Sequence, residues 1–138
     1  MYQMLHFHPE EVLPKSWLDD YGGNALLAMD ERILMSIDAI REYFAVPVVI
    51  NNWAAGGSYM YRGLRTQNCQ QYTPNSQHSF GRAIDFDVMG ETANYVRGII
   101  LSNRARWPLI TAVELNVDWI HIDSRDGTGN SDIILFSK

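Results

Sequence analysis

Two histidines and an aspartate stand at spacings that suit a metal site. His78 and Asp85 belong to one run, Ser76-Gln77-His78-Ser79-Phe80-Gly81-Arg82-Ala83-Ile84-Asp85, and His121 follows in Asp118-Trp119-Ile120-His121-Ile122-Asp123. Two imidazoles and one carboxylate form a three-ligand set for one zinc ion, and such sets leave a fourth position open for chemistry. A further carboxylate beside that position would act as general base. Asp118 is the first candidate for it and Glu114 the competitor. Either histidine alone reads as an ordinary loop or strand residue satisfied by hydrogen bonds. The set, with its spacing, reads as a metallohydrolase.

The elements around these residues must bring them together. Residues 83–88 alternate apolar side chains with Asp85 and Asp87, which predicts a strand with both carboxylates on one face. Residues 119–123 predict another, with His121 and Asp123 sharing a face. Residues 109–115 predict a partner strand joined to it by a turn containing Asn116, and residues 133–136 a last strand. Gly81 allows the chain to bend sharply between His78 and Asp85. Asp118 falls on the opposite face of a regular strand from His121, so only a turn or bulge would aim it at the metal. Asp30 caps a helix running to Tyr43, with Ile33, Leu34, Ile37 and Ile40 on its apolar side. Pro47 stops it, and Val48, Val49 and Ile50 form a short strand. A second helix spans residues 91–102, starting near Gly90 or Thr92. Between strand and metal motif lies a Gly-, Asn- and Tyr-rich stretch, residues 51–77, too long for a simple connector and therefore a candidate functional loop. The simplest assembly is one α+β domain over residues 1–138, a largely antiparallel sheet with helices packed on one face.

Bulk properties narrow the partners. The chain of 138 residues carries a net charge of −5 and scattered basic residues, which argues against a nucleic-acid surface. Cys69 is the single cysteine, excluding an intrachain disulfide and a thiolate metal site, and it reads as a structural thiol. The N-terminus lacks a signal-peptide pattern, and no apolar run approaches the ~20 residues of a membrane span. The expectation is a monomer made in a reducing cytoplasm, with no membrane insertion. Asp87 reads as structural, paired with Arg82 or Arg97, and Trp119 as core support beneath the metal strand.

The two motifs resemble those of the zinc D-Ala-D-Ala peptidases, a family of murein carboxypeptidases, D,D-dipeptidases and phage endolysins that cut L-Ala-D-Glu links. Ser76, His78, Gly81, Ala83 and Asp85 match its pattern Ser-x-His-x-x-Gly-x-Ala-x-Asp, and Asp118 with His121 match its second motif, where many members carry Glu. Asn51-Asn52-Trp53, Tyr61-Arg62-Gly63-Leu64-Arg65 and Phe7-His8-Pro9-Glu10-Glu11 are similar to short phage-encoded members. The resemblance spans roughly residues 5 to 125. It implies a compact α+β fold in which His78, Asp85 and His121 bind one zinc ion. It also implies that Asp118 takes a proton from water and passes it to the leaving amine. Arg65 or Arg62 would stabilise the oxyanion or hold a substrate carboxylate, Ser76 would hydrogen-bond the substrate or support a ligand, and Asp123 would orient a ligand or an arginine. The implied substrate is a peptidoglycan stem peptide, cut as a D-Ala-D-Ala carboxypeptidase or an L-Ala-D-Glu endopeptidase after release of the protein to the cell wall. The hedgehog signalling domain, similar in fold and zinc set, supplies the alternative: a zinc-containing binding or virion module without catalysis.

Overall fold

Residues 1–126 and 132–138 are described by the computed structural model. Among them, β1 (Val48–Val49), β2 (Ala83–Val88), β3 (Ala112–Glu114), β4 (Ile120–Asp123) and β5 (Ile134–Phe136) form a sheet ordered β1-β2-β4-β3-β5. All neighbours are antiparallel except β3 and β5, which run parallel. The α+β expectation therefore holds, with one parallel pair at an edge.

The helices form where the sequence offers a cap and an apolar stripe. In α2 (Glu31–Phe44) the Asp30 carboxylate accepts a hydrogen bond from the Arg32 backbone N–H at 2.9 Å. Such a cap satisfies one of the otherwise unpaired donors of the first turn. The helix ends at Ala45, whose φ of 57° is left-handed, two residues before Pro47. In α3 (Ala93–Ser102) the Thr92 hydroxyl caps Tyr95 N–H at 3.2 Å, so the helix begins two residues later than predicted. The N-terminal α1 (Lys15–Tyr21) has no predicted counterpart. A helix of about two turns carries too little periodicity to be recognised. No helix among the described residues is long and apolar enough to cross a membrane.

Alternation along the central strands separates core from site. Ile84 and Phe86 of β2, Ile120 and Ile122 of β4 and Val113 of β3 join Ile33, Leu34, Ile37 and Ile40 of α2 and Val96 and Ile100 of α3 in one core. Each fully buried side chain of this size stabilises the fold by about 1.5–3 kcal/mol relative to exposure. Asp85 of β2, His121 and Asp123 of β4 and Glu114 of β3 point the other way, as a two-residue period requires. The register places Asp85 directly opposite His121.

The predicted functional loop is pinned through its backbone to β2, to the His78 turn and to the N-terminal segment. Asp85 N–H donates to Arg62 O at 2.7 Å, Arg65 N–H to His78 O at 3.1 Å and Leu64 N–H to Val12 O at 2.9 Å. Asn51 links both sides, donating to Leu13 O and accepting from Arg62 N–H. Gly63 is in such close contact that a Cβ there would overlap the Val12 carbonyl. Gly81 has a φ of +69°, and a Cβ on it would run into the Ala28 carbonyl oxygen. Only glycine fits both requirements there.

Candidate metal centre

Register explains how ligands far apart in sequence meet. Asp85 and His121 are cross-strand partners on the two central strands, and His78 reaches them from the turn before Gly81. His121 Nδ1 lies 2.8 Å from Asp85 Oδ1, and His78 Nε2 lies 3.2 Å from Asp85 Oδ2. One donor atom from each of the three residues falls within 4.8 Å of the others, and all three residues are buried. Asp85 is thus the hinge of the trio, with one oxygen toward each imidazole.

The outer nitrogens are fixed by other groups. His78 Nδ1 is 2.9 Å from the Gly63 carbonyl, which can only accept, so Nδ1 carries a proton and Nε2 is the nitrogen turned toward Asp85. His121 Nε2 is 2.9 Å from Asp123 Oδ2. Asp123 is fully buried and receives Arg125 Nε at 2.8 Å and Nη2 at 2.6 Å. Outer partners of this kind fix the tautomer and aim of metal-ligating histidines.

Charge completes the fit. Both His121 nitrogens face carboxylates, so in the metal-free protein this ring is an imidazolium donating in both directions. Burial pulls its pKa down, but the hydrogen bonds to Asp123 and Asp85 and their charges outweigh that and raise it to about 9. Burial likewise pushes Asp85 upward, and His78 and His121 more than reverse it, holding the carboxyl well below the ordinary range. Asp123 is raised by burial and lowered further by Arg125 and His121, ending at about 2. Loss of the His121 Nδ1 proton would leave that nitrogen free to donate to a cation. His78, Asp85 and His121 are therefore a donor set able to hold a divalent ion.

The trio opens into a cleft of about 550 Å³. Glu114, Arg62, Arg65, Ser76 and Trp119 line it with the three ligands. Glu114 is buried and comes next in the β3–β4 ladder after the Val113–Ile122 pair, level with His121. Asp118, in contrast, is exposed on the turn of residues 115–119 and does not line the cleft. Arg97 clamps that turn, donating to the carbonyls of Glu114, Val117 and Trp119 at 3.0, 2.9 and 2.8 Å. Of the two arginines, Arg65 comes nearer the ligands, with Nη2 3.7 Å from Asp85 Oδ2. Arg62 is engaged by Asp87 at 2.9 Å and stacks on Tyr59. Ser76 supports a ligand through the backbone, its hydroxyl accepting from His78 N–H at 3.2 Å.

Two expectations require correction. Asp87 pairs with Arg62, while Arg82 meets Asp126 and Arg97 serves the turn. Trp119 is 38% exposed and borders the cleft. It lies two residues before His121, so it shares that residue's face and not the core face. Sequence reasoning missed the roles of Gly63, Arg97 and Arg125. Gly63 acts through a carbonyl, which no residue type betrays; Arg97 acts through carbonyls distant in sequence, whereas Arg125 pairs locally with Asp123, two residues before it. No known family model, curated protein or solved structure matches this chain.

Proposed function

We propose that this protein is a zinc peptidase that hydrolyses an amide bond in peptidoglycan stem peptides. The observation that carries the reading is the convergence of His78, Asp85 and His121 on a cleft also lined by a buried carboxylate, Glu114, and two arginines. A bound zinc ion supplies Lewis acidity toward water and toward an amide carbonyl. Arg65 is placed to neutralise a negative charge developing beside the ligands or to grip a substrate carboxylate. Glu114 lies inside the cleft and suits the role of proton acceptor by position. Asp118 suits it by its place in the motif and needs a turn movement to reach the cleft. The peptidoglycan assignment rests on the resemblance of the two ligand motifs to murein peptidases.

A hollow of about 340 Å³ adjoins the cleft, sharing Thr73, Ser76, His78, His121 and Lys138 with it and adding Gln77 and Arg125. Open space that continues beyond the cleft favours a substrate whose chain runs past the scissile bond, and hence the L-Ala-D-Glu endopeptidase over the carboxypeptidase. The exposure of Asp118 is the one observation favouring a zinc-containing binding or virion module. Purified murein digested with and without a chelator, with products weighed by mass spectrometry, decides between them. Chelator-sensitive cleavage of one stem-peptide bond is expected, and no metal-dependent product would reject the enzyme. Asp118→Asn and Glu114→Gln, each assayed for zinc content and turnover, identify the base as the variant that keeps zinc and loses hydrolysis.

A further inference from the structure

A second hollow, of about 420 Å³, adjoins the metal cleft across a shared wall. Within residues 65–73, Cys69 and Thr73 face the cleft, Asn68 and Tyr72 face the hollow, and Arg65 borders both. The lining is unlike a packing defect. Trp17 and Tyr21 form a tilted ring pair with centroids 4.3 Å apart, and Phe80 enters from the loop carrying His78. Tyr21 and Phe80 are each 51% exposed, so large ring surfaces are left outside the core. Arg82 covers one side of Phe80, 4.9 Å from the ring centroid. The polar side chains of Asp20 and Asn68 line the same hollow, and the charges of Asp20 and Arg65 are opposite in sign.

Aromatic faces interleaved with hydrogen-bonding groups, at nearly balanced charge, select a neutral ligand with an apolar ring face and several hydroxyl or amide groups. We propose that this hollow is a saccharide subsite for the N-acetylated amino sugars of the glycan strand that carries the stem peptide. The inference rests on the peptidase reading for its position beside the cleft. It predicts that the substrate is bound by sugar and peptide together, with Arg65 at the junction.

The test is titration of the full chain with a peptide-free tetramer of N-acetylglucosamine, followed by NMR at the Trp17 indole. That indole donates to Ala25 O at 3.0 Å, which fixes it as a reporter. A saturable Trp17 shift is expected, weakened about fivefold by Tyr21→Ala and by Phe80→Ala. Both side chains are half-exposed, so the folded spectrum should persist. On glycan-linked stem peptide these variants should lose about fivefold more turnover than on free stem peptide. Absence of any Trp17 shift, or an equal shift on adding free stem peptide alone, would overturn the proposal. The titration needs no hydrolysis: saccharide binding without cleavage of murein would reject the peptidase and keep the subsite, and cleavage without binding would do the reverse.

Discussion

Asp123→Asn isolates what the outer carboxylate does for the metal site. In the native protein Asp123 receives His121 Nε2 at 2.9 Å and the Arg125 guanidinium at 2.8 and 2.6 Å, at zero exposure. An asparagine keeps one acceptor oxygen and turns an NH2 group toward either the imidazole or the guanidinium, donor against donor. Loss of such an outer partner weakens metal affinity by about 10–100-fold, or roughly 1.4–2.7 kcal/mol. Breaking a buried ion pair costs about 3–5 kcal/mol of stability when the remaining charge is trapped. The Arg125 side chain is 27% exposed and can turn to water, so the loss should fall nearer ~2 kcal/mol. Zinc affinity by competition with a chelating dye, and unfolding by denaturant with and without metal, measure the two effects separately. Arg125→Met leaves the Asp123–His121 contact in place and should lower affinity less. A folded Asp123→Asn variant binding zinc within about twofold of the parent would refute the orienting role.

Metal affinity should rise about tenfold per pH unit up to the His121 pKa of about 9, because the ion must displace that proton. Affinity that stays flat across that range would contradict the bridged imidazolium. In the metal-free protein, the same raised pKa means that the stabilisation from His121 is complete below about 6.5 and is lost as pH rises through about 9. Asp123 contributes in the opposite sense, fully above about 3.8 and lost as pH falls through about 2. Unfolding free energies across both windows check the two signs. Asp38→Ala removes the acceptor for Tyr2 Oη, Leu5 N–H and His6 N–H at 2.6, 2.8 and 3.0 Å. It should cost about 2–4 kcal/mol in denaturant unfolding. Burial and then Asp38 raise the Tyr2 hydroxyl to about 12, so its ultraviolet titration should move down in this variant. Gly81→Ala combines a left-handed φ with overlap on Ala28 O and should cost about 3 kcal/mol or more, seen as a fall in Tm.

The strands that build the site were legible because their residues alternate. Ile84, Phe86, Ile120 and Ile122 declare the core face, and Asp85, His121 and Asp123 fall on the other by parity. The three members of the candidate metal trio could thus be singled out from residue types and spacing. What sequence could not supply was lateral placement. Glu114 becomes a cleft residue only through the register that sets it beside His121, and the parallel β3–β5 pairing has no local signature. Asp87 has several arginines within plausible reach in sequence, and the loop fold alone selects Arg62. The exposed position of Asp118 follows from the Arg97 clamp on the turn, which depends on α3 packing behind the sheet.

The facing of Asp85 and His121 across β2 and β4 would also make a bound divalent ion a proofreader of strand alignment. A slip of one residue between these strands would set Asp85 opposite Ile120 or Ile122 and send one partner to the wrong face. Misaligned chains would therefore lack the site, while an aligned chain that bound the ion would gain the whole binding free energy. The pairing joins segments well separated in sequence, a contact that closes late because its loop entropy is large. Metal-binding competence during refolding should appear only when the centre of the sheet has zipped in register, after α2 and α3 have formed. A metal-sensitive dye would then time the closing of two strands, reporting alignment and not merely compaction.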